Sequence, residues 1–361
     1  MAGNQVTRFF LGANSKDGFT SLYDSFAPPD KGCFTWVLKG GPGCGKSSFM
    51  KKIGSAAEEA GRDVEYISCS GDPDSLDGVY IPQAHIAYVD GTAPHVREAV
   101  FPGAASMYLD LGKYYQRDRL HRELGRIGDL NRHYKSLYAR AYDYLRAAAL
   151  VSPKNLPNIW GEAEKGKING RLSGVVSREL GKNRGSAELT YRFISAISCK
   201  GYVFMQNTLD TLCSRVYVLD NELGIGHYYL EKLLEAAKGY RTKIIVCPDP
   251  LEAQKLQALI FPELSLGFIA RDCSLPYDTL PYRHIRLDAL VNKDVLHDAK
   301  FELRQAKKLS GELLAMGTQA LSQAKELHDI LEDIYNPCVD FDGVYGEAAE
   351  HMEMLNKAFG C

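Results

Sequence analysis

No run of apolar residues in the 361-residue chain approaches the length of a membrane span. The opening MAGNQVTRFF has neither the basic nor the apolar region of a signal peptide. The expected location is cytoplasmic, with no membrane partner. Charge of one sign is scarce too: 43 basic residues against 45 acidic leave a net −2. Nothing global therefore points to nucleic acid or an anionic surface. CxxC pairs are absent, and the nine cysteines are odd in number and scattered. That pattern argues against a zinc site or a disulfide framework. It suits reduced thiols, some of them in strands, as at Cys69 and Cys247. Hydrophobic residues, at 45%, suffice for sizeable cores, and the length favours two domains.

The most informative stretch is FTWVLKGGPGCGKSSFMKK, Phe34 to Lys52. Phe34 to Leu38 reads as a buried strand. Ser48 to Ala60 reads as an amphipathic helix with Phe49, Ile53 and Ala57 on one face. Between them, Gly40, Gly41, Pro42, Gly43, Cys44, Gly45, Lys46 and Ser47 match G-x-x-x-x-G-K-[ST]. Glycines let successive backbone N–H groups turn inward around a phosphate. The helix that follows points its positive end at the same anion. Gly40 to Ser48 are thus the candidate nucleotide contacts. Lys46 is placed for the β- and γ-phosphate oxygens, and the Ser47 hydroxyl for Mg²⁺. Cys44 sits at a variable position, where its side chain either points aside or serves as a redox-sensitive thiol. The loop resembles the Walker A loop of P-loop NTPases.

DVEYISC, Asp63 to Cys69, reads as the next strand. IAYVD, Ile86 to Asp90, ends in a carboxylate one βαβ unit after the loop. An aspartate there can hold the Mg²⁺ shell at the carboxyl end of a parallel strand. Gly91 follows, where many ATPases carry a water-activating glutamate. Asp72, Asp74 and Asp77 in SGDPDSLDGVYIP are the available substitutes. Asp72 joins Lys46 and Asp90 as a catalytic candidate, although Asp-Pro and Asp-Gly also suit turns and caps. His95 is either a substrate contact or a plain loop histidine. Arg8 to Gly12 reads as a strand, Gly18 to Phe26 as a short helix, and Leu109 to Arg146 as helix throughout. That last segment carries Arg117, Arg119, Arg122, Arg126, Arg132, Arg140 and Arg146. They form either a lid over phosphates or a solvated face.

The second half repeats the first. VLKGGPGCGKSSFMKK at Val37 aligns with VLDNELGIGHYYLEKL at Val218, an offset of 181 (218 − 37). IPQAHIAYVDG aligns with FPELSLGFIAR, and each half ends in a long helical segment. The copy has lost its chemistry. Gly40, Gly41, Lys46, Ser47 and Asp90 correspond to Asn221, Glu222, His227, Tyr228 and Ala270.

Gly18 through Cys69 resembles RecA-like ATPases. The duplicated layout resembles a bacterial family of two-domain P-loop ATP-binding proteins with a degenerate second copy. The expected class is α/β: two tandem P-loop NTPase-like domains, residues 1–182 and 183–361. Each is expected to hold a mostly parallel sheet flanked by helices, with long helical arms. Trp160 to Leu180 is expected to pack on the first domain, and the two domains on each other. The resemblance implies ATP and Mg²⁺, ATP also because no NKxD follows the loop in the first half. It implies no particular reaction. Hydrolysis coupled to domain motion is the first reading. A small-molecule or nucleotide kinase with an arginine-rich lid is the second, and a regulatory module without turnover the third. Arg271 is a candidate for a group donated across domains.

Overall fold

The computed structural model describes residues 4–92 and 96–358. The first half runs β1 (Val6–Phe10), β2 (Gly12–Ser15), β3 (Gly18–Ser21), β4 (Phe34–Lys39), α1 (Lys46–Glu59), β5 (Val64–Ser68), β6 (Leu76–Ile81), β7 (Ile86–Asp90) and β8 (Ser106–Asp110). Helices α2 (Arg117–Arg122), α3 (Leu124–Leu150) and α4 (Glu162–Glu179) follow. The second half repeats the order: β9 (Glu188–Tyr191), β10 (Ser195–Ser198), β11 (Gly201–Phe204), α5 (Gln206–Leu212), β12 (Arg215–Asp220), α6 (Ile225–Ala237), β13 (Lys243–Pro248), β14 (Leu256–Phe261), β15 (Leu266–Arg271) and β16 (Arg283–Ile285). It ends in α7 (Lys293–Asp298), α8 (Lys300–Tyr335) and α9 (Phe341–Ala358).

The sheets have the same topology. One is ordered β1-β5-β6-β7-β4-β8, the other β9-β13-β14-β15-β12-β16. Both are mostly parallel, as expected, but mixed: one strand of the six in each runs against the rest. β6 is antiparallel to β5 and to β7, and β14 to β13 and to β15. LDGVYI looks like a turn because it carries Asp77 and Gly78. In the fold Asp77 is buried and accepts from the Tyr23 hydroxyl at 2.8 Å, so the strand keeps its carboxylate inside. Two helices expected from sequence are also corrected. Gly18 to Ser21 pairs with β2 as a hairpin, with a 3-10 turn at Tyr23–Ser25. Leu109 lies in β8, a 3-10 turn follows at Leu111–Tyr114, and α-helix begins only at Arg117.

The sheets face each other. Leu11, Val37, Ile67 and Val89 meet Ile194, Val216, Val218 and Ile269 in one core. The Phe10 and Phe193 backbones exchange hydrogen bonds of 2.8 and 2.9 Å, which joins the halves reciprocally. Each outer sheet face is covered by a helix from its own half and a helix from the other. In the first half, Phe49, Met50 and Ile53 of α1 share a core with Val344, Ala348 and Leu355 of α9. In the second, Leu230 and Leu233 of α6 share one with Ile168, Leu172 and Val176 of α4. The expectation that Trp160 to Leu180 packs on the first sheet is therefore overturned. The arms cross because α3 and α8 lie antiparallel along each other. Ile127 clusters with Leu331, and Ser310 Oγ donates to the Ala148 carbonyl at 3.0 Å.

Ile168 is fully buried on α4. Ile168→Ala should cost about 2–4 kcal/mol, the usual cost of such a core deletion. Hydrogen exchange should quicken in α6 and the second sheet, where the crossed packing puts the cavity. Quickening confined to α1 would contradict the crossed arrangement.

Candidate functional site

The glycine-rich loop leaves the carboxyl end of β4 and enters α1 at Lys46. β7 pairs with β4 in parallel, Leu38 against Asp90. Asp90 therefore emerges at the same sheet edge as the loop. Lys46 folds back across it. Its ammonium donates to the Gly40 and Gly41 carbonyls at 2.8 and 2.9 Å and lies 3.7 Å from one Asp90 oxygen. The other Asp90 oxygen accepts from Thr92 N and Oγ1 at 2.8 and 2.6 Å, which orients the carboxylate. Ser47 Oγ accepts from Leu76 N at 2.9 Å, tying α1 to β6. It retains a lone pair for a cation. Cys44 is buried, its Sγ 3.8 Å from Lys46 Nζ. Ser48 is exposed on the first turn of α1.

One sheet edge thus gathers a cation, a hydroxyl, a carboxylate and a helix N-terminus. That set can hold a phosphate together with a divalent metal, with Ser47 and Asp90 as the protein's metal ligands. Of the substitutes for a missing glutamate, Asp72 accepts from Ser75 Oγ at 3.0 Å and Asp74 N at 3.3 Å, which is turn chemistry. Asp74 pairs with Lys200, and Asp77 is the buried partner of Tyr23. His95 lies outside the described residues.

The loop does not stand alone. Gly43 has φ +65°, and a Cβ there would collide with Asn336 Oδ1 and come within 3.4 Å of Glu332 Cα. Only glycine allows the end of α8 so close. Tyr115 OH donates to the Pro42 carbonyl at 3.4 Å, and its ring lies 5.5 Å from that of Tyr335. Lys325 of α8 reaches Asp72 at 3.4 Å. Periodicity shows that these α8 residues are helical, but it carries no signal for which surface they meet. Arg271 stays in the second sheet, exposed beside Asp220. Among the arginines of the helical segment, Arg126, Arg132 and Arg146 pair with acids three residues back. Arg119 instead donates to the Pro337 carbonyl at 2.8 Å.

The second loop is satisfied internally. His227, where the first half has Lys46, is buried, with Nδ1 2.8 Å from the Leu256 carbonyl and Nε2 3.0 Å from Asn221 Nδ2. Burial holds its pKa below the usual value, so it is neutral. A Cβ on Gly224, the counterpart of Gly43, would lie 2.8 Å from the Lys154 carbonyl, supplied by the first half's arm. The Lys154 ammonium pairs with Asp272. Burial opposes its charge, but Asp272, Asp249 and Glu252 raise its pKa above the ordinary range. Against its own desolvation, Asp272 is held down to about 2 by Lys154 and Ser274. Among the described residues, no helix is long and apolar enough to cross a membrane. Comparison with known proteins found no match, whether among family models, curated sequences or solved structures.

Proposed function

We propose that the chain is a P-loop NTPase that binds one Mg·ATP in its first half and hydrolyses it. Hydrolysis is coupled to the packing of the two halves through their crossed arms. The observation that carries this reading is Lys46, set between the Gly40 and Gly41 carbonyls and Asp90 at the mouth of the glycine-rich loop. Phosphate oxygens would replace those carbonyls as its partners. Ser47 and Asp90 would hold Mg²⁺, whose charge offsets that developing on the transferred phosphoryl group. The second half is a fused partner, because His227 is held by Asn221 and the Leu256 carbonyl and Lys154 is paired with Asp272, where a nucleotide would need room and an uncompensated positive charge.

A kinase is the runner-up. Gly91 favours it, and Arg119, Arg122 and Arg126 line a groove of about 330 Å³ with Asp333 and Pro337. ADP formation with ATP alone, compared with ADP formation in a metabolite extract, separates the two. Binding without ADP formation under either condition would leave the regulatory reading.

Lys46→Ala removes charge-assisted hydrogen bonds worth about 1.5–3 kcal/mol each. ATP affinity should fall by about tenfold to a hundredfold with the fold retained. Unchanged affinity by calorimetry would defeat the assignment. Asp90→Asn keeps the shape and removes the charge. Turnover at ordinary Mg²⁺ should drop by about a hundredfold, with binding weakened far less; parental turnover would remove Asp90 from the metal shell. Titration of the parent should give one nucleotide per chain, whereas a stoichiometry of two would mean that the second loop is a working site.

A further inference from the structure

What the described residues of the first site still need is a group to activate the attacking water, since Gly91 stands where a glutamate would serve. α8 passes over that site with one face. Lys325, His328, Glu332 and Asn336 are spaced three, four and four residues apart and so project from one side of the helix. Lys325 meets Asp72 at 3.4 Å, while Glu332 and Asn336 abut Gly43. His328 lies between these two anchors. Its Nδ1 is 3.8 Å from Glu332 Oε1, and its ring is 5.9 Å from that of Tyr134 on α3.

We propose that His328, oriented by Glu332, is the general base of the first site, delivered to it by the second half's arm. This rests on the nucleotide reading above. In the step, His328 Nε2 takes a proton from a water molecule. The water oxygen bonds to the γ-phosphorus as the bond from that phosphorus to the β–γ bridging oxygen breaks. ADP leaves with the electron pair, and the proton passes from His328 to phosphate or solvent. Glu332 has the positioning role: it fixes the ring and stabilises the imidazolium formed in the step.

Two further observations support this assignment. Burial lowers the pKa of His328, with Lys325 and Lys46 lowering it further and Glu332 and Asp329 opposing them. The imidazole is thus neutral and able to accept a proton, and Lys46 is close enough to be felt. The second observation is the pseudo-symmetry of the arms. Tyr134 beside His328 maps onto Gly317 beside Leu145, an offset of 183 (328 − 145). His328 and Glu332 therefore correspond to Leu145 and Ala149, both buried and apolar. The arm over the degenerate loop has lost this pair, just as that loop has lost Lys46. His328, Asp329 and Glu332 also present ligand atoms within 4.8 Å of one another. Asp329, however, is paired with Lys325, which favours an orienting pair over a metal site.

The test is single-turnover hydrolysis of Mg·ATP by the full chain, with affinity measured alongside. His328→Ala should bind as the parent does and hydrolyse about a hundredfold more slowly or worse. Added imidazole should restore part of the rate, which it would not do for a purely structural side chain. His328→Gln, which nearly keeps the volume, should show the same loss without a change in melting temperature. Glu332→Gln should lose less, about tenfold, with KM unchanged. Parental rates in both His328 variants would overturn the proposal and leave the nucleotide site intact. A parent that binds ATP without ever hydrolysing it would also overturn the proposal. A parent that binds no ATP would bring down the nucleotide reading itself.

Discussion

Each sheet has two apolar faces, and a half-chain can cover its own outer face only in part. α1 or α6 shields part of it, and a second helix is needed for the rest. Left bare, the flanks with Trp36 and Tyr88, which meet His351 of α9, and with Tyr217, which meets Glu179 of α4, would be aggregation surfaces. Reciprocal donation of α9 and α4 solves this for both halves at once. Every contact of functional interest depends on it. The end of α8 reaches Gly43 because the chain must pass there on its way to α9. Lys154 reaches Gly224 because the first arm must pass there on its way to α4.

The same crossing explains how two copies of one fold came to differ. Each loop is overlaid by the other half's arm, so each evolves against a foreign surface. At Gly43 that surface is Asn336 and Glu332, which are polar and partly open. At Gly224 it is Lys154, which pairs with Asp272 within a cluster of Asp249 and Glu252. A lysine placed there already supplies the positive charge that a metal would bring. With it in place, His227 can be neutral and Ala270 apolar at no electrostatic cost.

Much of this was legible in the sequence, for local reasons. β4, α1, β7 and their counterparts follow from apolar period and from glycines at fixed positions, and the repeat shows in the alignment of VLKGGPGCGKSS with VLDNELGIGHYY. β6 was hidden because Asp77 and Gly78 look like a turn, and it takes a buried partner such as the Tyr23 hydroxyl to make an aspartate tolerable there. β3 was hidden for a similar reason: GFTS is too short to show a period, and its partner β2 must be in place first. The exchange of arms left no local trace. The 27 residues of α3 and the 36 of α8 specify two long helices of about 40 and 54 Å, but not which sheet lies at the end of each. That is decided by the antiparallel seam between them. His328 and Glu332 belong to the same class. On one helix they look like any solvated pair, and only the Gly43 approach gives them a setting.

The donation of α9 also sets an order of events during synthesis. The glycine-rich loop is made early, but the helix that finishes its sheet, Phe341–Ala358, is the last of the described helices. At about 5–20 residues per second, the roughly 300 residues between them take some 15–60 seconds to emerge. Throughout that interval the nascent first half has a sheet with an uncovered flank and a loop without its overlay. The second half is made with α4 already waiting for it. The second half can therefore close as soon as it is synthesised, and the half that holds the glycine-rich loop is completed after it.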